Sequence, residues 1–68
     1  MAPVYEVTRG SAHWEVMLDG KLLGRWVTRE LAIDWARRLA VAERGELVIY
    51  DKQGRVQARH SYSGPPNV

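Results

Sequence analysis

The stretch His13-Trp14-Glu15-Val16-Met17-Leu18-Asp19-Gly20-Lys21-Leu22-Leu23-Gly24-Arg25-Trp26-Val27 decides how this chain folds. Asp19-Gly20 splits two apolar, strand-like runs, and Asp-Gly loops readily supply the two positive φ angles of a type I′ hairpin turn. A two-residue loop pairs Leu18 with Lys21, Val16 with Leu23 and Trp14 with Arg25. On that register one face carries Trp14, Val16, Leu18, Leu23 and Val27. The other carries His13, Glu15, Met17, Leu22, Gly24 and Trp26. The first set is richer in large and β-branched apolar residues, so it is expected to face the core.

Working outward toward the amino terminus, residues 4 to 9 are rich in β-branched and aromatic residues and end at the Gly10-Ser11 turn signal. They complete a three-stranded meander. Toward the carboxyl terminus, Thr28 is placed to cap a helix over about residues 29 to 44. Ala32, Ile33, Ala36, Leu39 and Ala40 form one stripe of that helix, which Leu31, Trp35 and Ala42 widen along a flank. Ala36 is expected to face Trp14 and Val16, and Trp35 to cover the edge of the core. Asp34 and Arg38 stand at a favourable i,i+4 spacing. Basic residues are expected in the last turn, with Gly45 taking the left-handed position just beyond it.

Two more strands follow, at about residues 46 to 50 and 55 to 62, joined by Asp51-Lys52-Gln53-Gly54. That composition suits a type I turn followed by a left-handed glycine. Ser63-Gly64-Pro65-Pro66-Asn67-Val68 cannot continue a strand and is expected to be a disordered tail. The expectation is therefore an α+β fold over residues 1 to 62, with one helix on a mostly antiparallel five-stranded sheet in the order βββ-α-ββ.

The second half also resembles a known family. The helix Thr28-Arg29-Glu30-Leu31-Ala32-Ile33-Asp34-Trp35-Ala36-Arg37-Arg38-Leu39-Ala40, the strand Gly45-Glu46-Leu47-Val48-Ile49-Tyr50 and the turn Asp51-Lys52-Gln53-Gly54-Arg55-Val56 look like the bacterial family catalogued as domain of unknown function 2188. A Gly-Trp-x-Val motif of that family appears here as His13-Trp14-Glu15-Val16, with His in place of Gly. The strand between this motif and the helix is shorter than in that family. The resemblance covers about residues 4 to 62 and implies a small ββ(β)αββ bacterial domain. Its motifs are capping, packing and turn residues, so it implies no catalytic or binding residue.

At 68 residues there is room for one domain, and a chain this short buries only about 60% of the surface it exposes unfolded. There is no cysteine, so neither disulfides nor thiolate zinc sites can supplement the core. Self-association is the natural substitute. The amino terminus lacks the basic and apolar regions of a secretory signal, and no apolar run approaches the length of a membrane span. A cytoplasmic protein is expected.

Three functional classes can be weighed. Catalysis needs a polarised acid, base or nucleophile in a water-excluding pocket. Asp19 and Asp51 are accounted for by their turns, and neither His13 nor His60 has an acidic neighbour forced beside it by spacing. No enzyme and no cofactor or metal are expected. Nucleic-acid binding is the alternative, through arginines such as Arg9, Arg25, Arg55 and Arg59. Against it, the net charge is only +2 and eight carboxylates interleave with the ten basic residues. The preferred reading is a protein-interaction or homodimerisation module. Its interface would be Met17, Leu22, Trp26 and Tyr50 on the sheet face away from the helix.

Overall fold

Asp19 and Gly20 have φ of 50° and 86°, as a type I′ turn demands, so the hairpin that organises the amino-terminal half closes where the Asp-Gly pair indicates. The computed structural model describes residues 2–62, and the proposed tail at 63–68 lies outside the described residues. The elements are β1 (Val4–Arg9), β2 (Trp14–Leu18), β3 (Lys21–Trp26), α1 (Arg29–Ala42), β4 (Glu46–Tyr50) and β5 (Val56–Ser61). One sheet holds all five strands in the order β3-β2-β1-β4-β5, with α1 packed against one face. β1 and β4 are parallel, and the other neighbours are antiparallel. The fold is α+β and mostly antiparallel, as the alternation of apolar residues implies.

The register of the first hairpin departs from a plain ladder. Leu18 pairs with Lys21 and Met17 with Leu22, but a bulge then lets Val16 pair with Gly24, Glu15 with Arg25 and Trp14 with Trp26. The extra residue is Leu23, and beyond it every side chain of β3 changes face. Trp26 therefore lies on the helix side, beside Trp14, where its ring meets Trp35 with centroids 4.8 Å apart and planes tilted by 38°. Arg25 goes to the other side instead. The unbulged alternative would put the guanidinium under the helix and the indole in water, which is the costlier exchange. Gly24 makes room for this arrangement, since a Cβ there would stand 2.8 Å from the Trp26 ring. Val27, expected in the core, is 79% exposed.

The core contains Tyr5, Val7, Trp14, Val16, Leu47 and Ile49 from the sheet, and Ala32, Ala36 and Ala40 from the helix. Three fully buried alanines let α1 approach the sheet closely, and Ala36 shares the cluster with Trp14 and Val16. Ile33 and Leu39 flank that stripe, whereas Leu31 and Ala42 are exposed rather than widening it. The Thr28 hydroxyl accepts from the Leu31 amide at 3.2 Å, and Asp34 pairs with Arg38 at 3.1 Å.

The end of the helix differs from expectation. Arg44, not Gly45, takes the left-handed conformation, with φ 53°. The Gly45 amide donates to Ala40 at 2.8 Å and the Arg44 amide to Val41 at 3.2 Å, the paired bonds of a Schellman motif. Gly45 is needed for a different reason, because a Cβ would stand 2.3 Å from the Pro3 carbonyl oxygen. The chain crosses over the start of β1 there, and Glu46 donates to that same oxygen at 2.8 Å. The helix ends at Ala42, and no basic residue lies in its last turn.

Candidate functional site

Strand pairing fixes which side chains share the sheet face that α1 leaves uncovered. Leu22, Met17, Glu6, Val48 and Arg59 form a row across all five strands. Met17, Leu22 and Tyr50 thus lie on the face assigned to them, while Trp26 does not, for the bulge has carried it under the helix. Leu22 is 38% exposed, and Val48, flanked by Glu6 and Arg59, is only 2% exposed. The run Leu47-Val48-Ile49 has the pattern of a strand apolar on both faces, and all three residues are buried. The Tyr50 hydroxyl donates to Glu6 Oε2 at 2.9 Å. That hydrogen bond, with burial and the carboxylate charge adding to it, holds the Tyr50 phenol above its ordinary pKa.

The four arginines proposed to contact nucleic acid are not brought together. Arg25 and Arg59 sit on the open face on the two edge strands, beside Glu15 at 3.2 Å and Glu46 at 4.0 Å. Arg9 lies on the helix side, its guanidinium 5.5 Å from the Trp14 ring centroid. Arg55 belongs to the turn after β4. His13 and His60 lie in the β1–β2 connection and on β5, with β1 and β4 between β2 and β5. Among the described residues, no group of His, Cys, Asp and Glu has the makings of a metal site. No helix among them is long and apolar enough to cross a membrane.

A second feature went unread in the sequence. At the end of the molecule where β1 and β4 finish, Trp14, Arg29, Asp51, Lys52 and Gln57 line a cleft of about 190 Å³. Arg29 begins α1, sets its guanidinium 5.8 Å from the Trp14 ring centroid and donates through Nη2 to Gln57 Oε1. Its Nε is buried and has no acceptor among the described residues. Asp51 Oδ1 accepts from the amides of Gln53 at 2.8 Å and Arg55 at 2.9 Å, which closes the turn around Gly54. The Arg55 amide is the main cause of an Asp51 pKa below the usual carboxylate value. Burial opposes the shift, while the Gln53 amide and the charges of Arg55 and Arg29 favour it. No sequence signal joins Arg29 to Lys52 and Gln57, because only the pairing of β4 beside β1 brings them together.

Comparison with known proteins gives a family and no further relative. The family model described as an uncharacterized protein conserved in bacteria, DUF2188, matches residues 5–62. No curated protein and no solved structure matches. The match spans every strand but the first residue of β1, together with the whole helix, and the βββαββ order agrees with it, so the chain belongs to the bacterial DUF2188 family.

Proposed function

We propose that this domain acts by association and not by catalysis, its open sheet face docking on a second copy of the same chain. The observation that carries the reading is the pair Leu22 and Met17, with Tyr50 farther along the same face, on the side that no helix covers. Leu22, Met17 and Tyr50 form an apolar patch among charged neighbours, and no second layer among the described residues covers it. The charges favour a second copy over a polyanion. Glu6, Glu15 and Glu46 share the face with Arg25 and Arg59, so it is balanced enough to meet its own image without strong repulsion. Catalysis is not part of the reading, since Asp51 is engaged by its turn and the two histidines stand on separate strands or loops.

Five strands about 4.8 Å apart and about five residues long, at roughly 3.3 Å per residue, give a face of roughly 400 Å². A stable interface takes about 800 Å² from each partner, so the dimer is expected to be weak, with sub-millimolar dissociation. Sedimentation equilibrium on the wild type, Met17→Glu and Leu22→Glu tests this. Concentration-dependent dimerisation that both variants abolish, with their melting temperatures kept, is the expected result. A wild type that remains monomeric at about 1 mM, well above the affinity such a face allows, overturns it.

A further inference from the structure

The side of α1 turned away from the sheet is not wholly polar. Leu31 is 54% exposed, Trp35 is 37% exposed and Ala42 is exposed as well. With Arg38 they stand at positions i, i+4, i+7 and i+11, the spacing that keeps side chains in line along a helix paired with another. The line runs on the far side of the helix from the buried Ala32, Ala36 and Ala40, and no other element among the described residues covers it. Trp35 is held by the Trp26 ring at 4.8 Å, and Arg38 Nη2 lies 3.1 Å from Asp34 Oδ2. The two largest side chains of the line are therefore already positioned.

We propose that this line is a second, weaker self-association surface, on which α1 of another copy packs antiparallel about a two-fold axis. The pattern is self-complementary in that direction. With the axis midway along the line, Leu31 stands opposite the partner's Ala42 and Trp35 opposite the partner's Arg38. A large residue then meets a small one at each end, and a guanidinium meets an indole at both inner positions, a contact that suits arginine. Parallel packing would instead set Arg38 against the partner's Arg38. Each copy also brings Asp34 beside its own Arg38, so the contact covers no unpaired charge. The same ion pair leaves the line without net charge, which favours a second copy over a polyanion or an anionic lipid surface.

Size sets the strength of the contact. A helix of 14 residues, at about 1.5 Å per residue and about 10 Å across, offers roughly 200 Å², half the area of the open sheet face. It is therefore weaker than the sheet contact and joins dimers that have already formed. It does not rest on that contact, because α1 and the open face lie on opposite sides of the sheet. Two isologous contacts on opposite sides of one domain link copies into assemblies larger than a dimer.

The chain has no cysteine, so an introduced thiol reports on one contact alone. Leu31→Cys and Ala42→Cys, both at exposed positions, are mixed in equal amounts at high concentration and oxidised in a glutathione buffer. Mass spectrometry then separates the crossed disulfide dimer from the two self-dimers. Antiparallel packing brings residue 31 beside the partner's residue 42 but keeps like positions about 16 Å apart along the axis, beyond the roughly 7 Å a disulfide spans. The crossed dimer should exceed either self-dimer by about tenfold or more, through the raised effective concentration of that pair. Arg38→Glu on both chains should return the mixture to random proportions. Met17→Glu on both chains should leave the excess in place, so failure of the sheet contact and failure of this one read differently. Random proportions in the parent mixture, an excess of either self-dimer, or a crossed excess that survives Arg38→Glu would overturn the proposal.

Discussion

Arg44 and Gly45 show how one residue's conformation and another's size are divided between neighbours. Arg44 holds a left-handed φ of 53° at the end of α1, a conformation that costs a residue with a Cβ roughly 1–2 kcal/mol. Arg44→Gly should therefore stabilise the domain, by less than that amount because glycine also loosens the unfolded chain. A rise of several degrees in melting temperature is the expected result. Gly45→Ala acts in the opposite sense. Its Cβ would stand 2.3 Å from a backbone oxygen of Pro3 that also accepts the Glu46 amide, so the crossing onto β1 must move. A loss of about 2–3 kcal/mol is expected, read from denaturant unfolding of the variant beside the wild type. A glycine after a helix suggested the left-handed position, and that suggestion erred because nothing local in the sequence reveals the approach of Pro3.

At the level of elements, α1 was legible in nearly every respect that matters to packing. Thr28 caps it, Asp34 pairs with Arg38, and Ala32, Ala36 and Ala40 are fully buried as a 3.6-residue stripe requires. A chain of 68 residues has only about 3–10 kcal/mol of stability, at roughly 0.05–0.15 kcal/mol per residue. Ala36→Arg would force a charged side chain into a contact with no space and no partner, which exceeds that reserve. The variant should lack a cooperative thermal transition by circular dichroism, and a folded, cooperative Ala36→Arg protein would show the helix face to be wrongly assigned. β3 was legible only as far as Leu22. Its pattern Leu22-Leu23-Gly24-Arg25-Trp26 suits two registers, and the choice between them depends on Trp35, nine residues farther along, which offers Trp26 a ring to pack against. The bulge is thus a tertiary decision imposed on a local pattern, and it moved Trp26 away from the interface proposed for it.

Across the whole molecule, the strands and their neighbours within the meander and the second hairpin were readable, but the pairing that joins the two halves was not. The helix returns the chain so that β4 lies parallel to β1, and this single pairing makes β1 central, joins the two halves and creates the cleft at Arg29. It also sets Tyr50 of β4 beside Glu6 of β1 and seals Tyr5 of β1 in the core against Leu47. Both phenols consequently hold their protons more tightly in the folded protein. For Tyr50 the hydrogen bond to Glu6 is the leading cause, and for Tyr5 it is burial, with the charges of Glu43 and Asp19 adding to it. In the unfolded chain both ionise near pH 10. Above that pH the unfolded state therefore carries fewer protons than the folded one, and stability must fall as pH rises until the folded phenols ionise as well. Melting temperature should be flat with respect to these two groups between pH 8 and about 9.5, then decline above pH 10. Tyr50→Phe should cost about 1 kcal/mol at neutral pH through the lost hydrogen bond and make the alkaline decline shallower. A decline as steep in Tyr50→Phe as in the wild type would mean that the β1–β4 seam does not hold the phenol against Glu6.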